Sequence, residues 1–149
     1  MYRGVIGNKS KKVKNVVERT LVKRFAEAIG DLHPIYTDEE YGKRSRYGRN
    51  IAPPTFPRVL DYGVVEGLKL PTKGLIHGEQ IYHYERPLLV GEELYCHAEI
   101  MDYYEKEGRN GLMGFLAVKR YGEDLQGHLI FTEESKTIIT EAVRKAMKL

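Results

Sequence analysis

The sequence has no tryptophan and a single cysteine, Cys96, among 149 residues. One cysteine excludes an internal disulfide and fits a reducing cytoplasm, which is the expected location. It also excludes a cysteine-built zinc site, and the five histidines lie scattered without metal-ligand spacing, so no metal is expected. No apolar run approaches the roughly 20 residues that a membrane helix needs, and no apolar stretch follows the basic N-terminus as a signal peptide requires. Charge of one sign is in short supply too. The balance of 24 basic and 21 acidic residues leaves only +3, too little to imply nucleic-acid binding, and no nucleic-acid motif is present.

What is present is a chain of one-domain length, residues 1–149, with 42% hydrophobic residues and eleven tyrosines. Tyrosine suits strands and half-wet clefts. Residues 1–14 are polar, rich in Gly and Lys, and expected to be irregular. Leu21, Val22, Phe25, Ala28 and Ile29 follow at helical spacing, with Thr20 in front as a cap. Gly30 ends that helix, and Pro34 forbids its early continuation. Thr37 or Asp38 is placed to cap a second, short helix. Then comes "IAPPTFPRVLDYGVVEGL". Thr55 is a good N-cap, Pro57 fits a first turn, and Phe56, Val59, Leu60, Gly63, Val64 and Leu68 make a helical stripe, so the pattern predicts a helix over about 55–68.

From residue 76 the period changes to two. Four extended segments are expected, at about 76–86, 93–105, 112–121 and 128–140, with a short helix over 141–148. The segment "LMGFLAVKRY" is apolar on both alternating faces, as a strand covered on both sides is. Helices first and an antiparallel meander second give an α+β domain whose sheet lies around the 55–68 helix.

That order resembles the hotdog fold. More narrowly, "FAEAIGDLHPIY", "IAPPTF", "HGEQIYHYERPLLVGEELYCHAEIMD" and "YYEKEGRNGLMGFLAVKRYG" followed by "GHLIFTEESKTIIT" resemble the MaoC-like enoyl-thioester hydratases and dehydratases. The similarity is greatest to their N-terminal branch, which is like the dehydratase of fungal fatty acid synthase. It spans nearly all of residues 15–140. The catalytic branch carries Gly-Asp-x-Asn-Pro-[Ile/Leu]-His. Here Gly30, Asp31, Pro34 and Ile35 match, but His33 stands at the asparagine place and Tyr36 at the histidine place. An aromatic there resembles the scaffold halves of the family, which pair with a catalytic partner and help to hold the acyl chain.

The resemblance implies an acyl-CoA or acyl-carrier-protein thioester as substrate and no further cofactor. It also implies a homodimer, or a heterodimer with a catalytic hotdog subunit. Hydration of an enoyl thioester needs a base for water, an acid for the α-carbon and donors for the thioester oxygen. Histidine, near pKa 6.5, suits the acid–base role; tyrosine, near 10, does not unless it is strongly perturbed. Asp31, His33 and Tyr36 are therefore the candidate site, with His77 as an alternative base. Pro54, Thr55 and Phe56 would present backbone donors at the start of the 55–68 helix. Arg44, Arg46 and Arg49 are candidates for phosphate contact.

Three readings of "GDLHPIY" stay open on the residues alone. It is a working Asp31–His33 pair, an altered acyl-binding site lined by Asp31 and Tyr36, or a helix cap beside a surface histidine. The corresponding functions are an active hydratase or dehydratase using Asp31 with His33 or His77, and a substrate-binding subunit. A hotdog thioesterase using Asp31 or Glu66 is the further alternative.

Overall fold

Alternation with a period of two makes the second half of the chain a sheet. The computed structural model describes residues 2–147. In chain order the elements are β1 Val13–Val16, α1 Arg19–Ala28, α2 Pro34–Thr37, α3 Glu39–Arg44, β2 Leu75–Tyr84, β3 Glu93–Gly108, β4 Gly111–Glu123, β5 Leu129–Ile139 and α4 Glu141–Ala146, with single 3₁₀ turns at Tyr2–Val5 and Phe56–Val59. The five strands form one antiparallel sheet in the order β1-β3-β4-β5-β2. The α+β hotdog architecture expected from the sequence is the one observed. The helix expected over 141–148 forms at 141–146; position 148 lies outside the described residues. The arm expected to be irregular contains the first 3₁₀ turn, and β1 begins within it at Val13.

The inner face of the sheet carries the core. Leu94, Cys96, Ala98 and Ile100 of β3 and Leu116 and Val118 of β4 are buried there with Val22 and Ala26 of α1. Phe25 of α1 meets the ring of Phe56 edge-on at 5.6 Å. Burial lifts the Cys96 thiol to about 12, so it is an inert core group.

The central helix predicted over 55–68 does not form. Helical geometry is confined to the four-residue turn Phe56–Val59, and residues 60–74 carry neither helix nor strand. Local chemistry and a tertiary tether account for this. Gly63 and Gly67 adopt φ of 77° and 84°, left-handed values that stop a right-handed helix. The Asp61 carboxylate accepts from Gly63 N–H at 2.9 Å, a turn that competes with helical bonding. The Asn15 side chain brackets Asp61, accepting from its N–H at 2.9 Å and donating to its C=O at 2.8 Å. Ser10 Oγ donates to Tyr62 C=O at 2.6 Å. Much of the backbone of this segment is thus bonded to the N-terminal arm, and what bonds within it are short turns such as Leu68 N–H to Val65 C=O. Gly63 does mark a close backbone approach, but to that arm: a Cβ would lie 3.0 Å from Lys11 C=O.

The two edges of the sheet differ. β1 is four residues long, and its Lys14, with Lys12 just before it, forms ion pairs across to Glu93 and Glu123. β2 is ten residues long and, among the described residues, pairs only with β5, with a register shift between His77 and Glu79.

Replacing Gly63 by Ala forces a side chain into a left-handed residue against a backbone carbonyl. The expected loss is about 1–2 kcal/mol of stability, read from urea denaturation of Gly63→Ala beside the parent chain.

Candidate functional site

Gly30 places the motif. With φ of 72° it ends α1 in a Schellman arrangement, in which Gly30 N–H donates to Glu27 C=O at 3.1 Å and Asp31 N–H to Ala26 C=O at 3.0 Å. The chain leaves the helix with Asp31 fixed at its end. The Asp31 carboxylate accepts from the backbone N–H of His33 at 3.3 Å. The His33 ring is the N-cap of α2: its Nδ1 accepts from Ile35 N–H at 3.1 Å, with Pro34 in the first turn. Asp31 and His33 are therefore joined through the backbone and not ring to carboxylate. With Nδ1 engaged as an acceptor, the proton of the neutral ring sits on Nε2.

Tyr36 points the other way, inward, and is 9% exposed, whereas Asp31 and His33 are exposed. Burial first, and then the charge and hydrogen bonding of Asp31, raise the Tyr36 phenol above its usual value. The phenol stays protonated at neutral pH and serves as a hydrogen-bond donor. Tyr36 stands between two openings. One, of ≈ 690 Å³, is bordered by the charged residues Arg19, Lys23, Asp38, Glu39 and Glu40. The other, of ≈ 410 Å³, is lined by Tyr36, Arg46, Tyr47, Ile51, Ala52, Pro54 and the Tyr84–Pro87 stretch, which includes Glu85 and Arg86. This second cleft is mostly apolar, with Arg46, Glu85 and Arg86 as its charged groups, and it is the candidate site.

Asn50 holds this corner together. It is 1% exposed. Its Nδ2 donates to Ile35 and Asp38 carbonyls, each at 2.8 Å, and its Oδ1 accepts from Arg19 at 2.8 Å. Asp38 in turn caps α3, accepting from Glu40 and Tyr41 N–H groups.

The remaining expected residues divide. Arg46 lines the cleft, with its guanidinium 4.9 Å from the Tyr47 ring centroid. Arg44 bonds the Glu40 carbonyl within α3, and Arg49 bonds Val90 C=O. Pro54 lines the cleft, Thr55 is exposed and Phe56 is fully buried. Two of the three positions expected there offer no free backbone donor. Phe56 N–H donates to Pro53 C=O at 2.9 Å, and the prolines have no N–H. His77 sits at the far end of β2 from Tyr84, roughly 20 Å along the strand. Glu66 lies on the 60–74 segment, exposed, away from the cleft lining. Tyr84 and Asn50 were not singled out in the sequence. Tyr84 lines the cleft and donates to Pro54 C=O at 2.6 Å. Period-two alternation, which puts Gln80, Tyr82 and Tyr84 on one face, was the available signal for it. No cluster of metal-ligating residues occurs among the described residues.

The FAS1-like dehydratase domain region matches residues 4–133. The chain belongs to this MaoC-like hotdog dehydratase family. A UPF0336 protein of Streptomyces griseus is 33% identical over 134 residues, 85% of each chain. One of Thermobifida fusca is 35% identical over 102 residues, 64% of this chain and 67% of the relative. Matches to UPF0336 proteins of Clavibacter michiganensis and Streptomyces avermitilis span a little over half of those relatives, 57% and 56%. Among solved structures, the HadBC (3R-hydroxyacyl-ACP dehydratase) complex of Mycobacterium tuberculosis aligns with a TM-score of 0.73 at 18% identity, over 93% of this chain and 100% of that one. The ChsH1-ChsH2 complex of the same organism aligns at 0.71 and 21%, over 87% and 83%. The MaoC-like dehydratase of Rhodospirillum rubrum aligns at 0.67 and 18%, over 91% and 92%. At these identities the structures establish the shared fold.

Two measurements check this geometry. Asp31→Asn removes a negative charge that favours the neutral phenol, so the Tyr36 pKa falls while burial keeps it above the free value; tyrosine ¹³Cζ titration against Tyr36→Phe reports it. Asn50→Ala leaves two carbonyls and the Arg19 contact unpaired, at an expected cost of about 2–3 kcal/mol, read from chemical denaturation.

Proposed function

We propose that this member of the family binds acyl thioesters, of coenzyme A or an acyl carrier protein, as a substrate-binding subunit of the (R)-3-hydroxyacyl dehydratase or enoyl hydratase type. It has little turnover alone and pairs with a catalytic hotdog chain. One observation carries the reading. The place of the catalytic histidine is filled by Tyr36, buried beside Asp31 and lining an apolar cleft. That arrangement keeps the shape and one polar end of a thioester site and lacks a base that titrates near neutrality. His33 does not restore one, because its Nδ1 is spent on the α2 cap and its ring lies on the surface. Arg46 at the rim is suited to a phosphate of a coenzyme A or phosphopantetheine arm, whereas Arg86 is held by both oxygens of Glu92 at 2.8 Å. The chemistry calls for no further cofactor or metal.

Pairing has two supports. The fold neighbours include two-component complexes. The edge of β2 offers ten residues for sheet extension. No helix among the described residues is long and apolar enough to cross a membrane.

The purified chain is expected to bind crotonyl-CoA and to hydrate it slowly. Tyr36→His is expected to raise the rate, by a factor within the 10²–10⁴ that a positioned acid–base group supplies. Loss of enoyl absorbance is the readout, with Asp31→Ala and His33→Ala as controls. Fast turnover by the parent chain, lost in both controls, establishes the Asp31–His33 hydratase instead. Release of free thiol from the thioester points to a thioesterase, and absence of binding rejects the thioester site.

A further inference from the structure

The candidate cleft shares no lining residue with a further cavity on the inner face of the sheet. This cavity measures ≈ 390 Å³ and lies between the 60–74 segment and the sheet, with Leu60, Leu70, Val118 and Arg120 in its lining. Strand register sets the two sites side by side. Tyr84, which lines the cleft, stands in one cross-strand row with Phe131 and Gly122, on β2, β5 and β4. The next row on that face is Tyr82, Glu133 and Arg120, and Arg120 belongs to the further cavity. Directly paired residues share a face, and successive rows on one face are about 7 Å apart.

The row at the cleft is an aromatic bar. Gly122 makes room for it: a Cβ there would overlap the Phe131 ring, which lies against the backbone of β4 and is fully buried. The Tyr84 ring packs on Phe131 with centroids 5.8 Å apart and planes tilted by 39°. The Tyr84 hydroxyl continues the line, donating to Pro54 C=O at 2.6 Å, and Pro54 lines the cleft as well. Burial first, and then Tyr82 and Glu133, raise the Tyr84 phenol, so it stays protonated and keeps this bond at neutral pH. Phe131, Tyr84 and Pro54 thus run from β4 to the turn ahead of Phe56, between the cleft and the row on which the further cavity rests.

We propose that Tyr84 is the stop that limits how long an acyl chain the cleft accepts, and that removing its ring joins the cleft to the further cavity. The proposal rests on the acyl-thioester reading and narrows its substrate class to chains that end at Tyr84. The ring is held on two sides, by the buried Phe131 and by the carbonyl of Pro54, so an incoming chain does not push it aside without giving up both contacts. Each methylene that a chain buries in the cleft tightens binding about fourfold. A methylene that reaches past the stop stays in water and adds nothing. Beyond the bar, Leu60, Val65, Leu68 and Val118 offer apolar surface to a chain that is let through.

The test uses the full chain and calorimetric titration with saturated acyl-CoA esters from butanoyl to dodecanoyl in steps of two carbons. For the parent chain, affinity is expected to climb with length and then level off at the ester that meets Tyr84. In Tyr84→Ala the plateau is expected at a longer ester, and the first ester past the parent's plateau is expected to bind roughly tenfold more tightly than it does to the parent. Tyr84→Leu, which keeps an apolar side chain against Phe131, is expected to shift it in the same direction and guards against loss of folding in the alanine variant. Tyr84→Phe keeps the ring, so its plateau is expected to stay in place. Leu70→Trp, which narrows the further cavity, is expected to cancel the gain of Tyr84→Ala. A purely structural role for Tyr84 predicts a lower Tm and weaker binding at every length with the plateau unmoved, and that result overturns the proposal. Affinity that climbs through dodecanoyl in the parent overturns it too and leaves the thioester reading standing. A plateau that moves in Tyr84→Phe overturns the ring as the stop, and a gain that survives Leu70→Trp overturns the further cavity as the place the longer chain enters. No binding at any length rejects the thioester reading and the proposal with it.

Discussion

One buried carboxamide organises the site. Asn50 reaches carbonyls at the start of α2 and at the α2–α3 junction and accepts from Arg19 of α1, so three short helices are tied at a single side chain. None of the three has the length to be stable alone. Their orientation depends on hydrogen bonds made in a place where water cannot substitute. Gly42 of α3 is packed so closely on this group that a Cβ would meet the Asn50 backbone nitrogen at 2.6 Å. The result fixes Tyr36 inward and His33 outward, and that opposition decides which residues face the cleft.

The sheet was readable from the sequence because its signal is local and repeated. Leu94, Cys96, Ala98 and Ile100 alternate, and they are the core positions of β3. Gly30 announced the end of α1 for an equally local reason, a left-handed residue that only glycine adopts without strain. The 55–68 segment misled because an apolar stripe at helical spacing is also compatible with a chain that buries Phe56, Leu60, Tyr62 and Val65 in other ways. What decided it were partners far away in sequence, Ser10 and Asn15, and no helical pattern contains them.

The site was legible to a similar degree. The Gly-Asp…Pro-Ile frame and the tyrosine that departs from it were visible as residue types in order. Whether His33 serves Asp31 or the helix cap is a matter of ring rotation and was not. The role of Asn50 depends on three helices converging, which neighbours in the chain do not encode. Burial of a charged pair is seldom favourable for stability by itself, so the pair of Arg120 on β4 with the fully buried Glu133 on β5, 3.2 Å apart, is not one a sequence pattern announces.

The unequal edges of the sheet bear on how the molecule can associate. On one side the four residues of β1 are ringed by paired lysines and glutamates, and a second sheet would have to displace those charges to dock. On the other side β2 exposes its full length. Were the proposed pairing to use β2, it would consume the one open rim and leave none for a third copy, and the edge that invites a partner would then be closed to fibre growth.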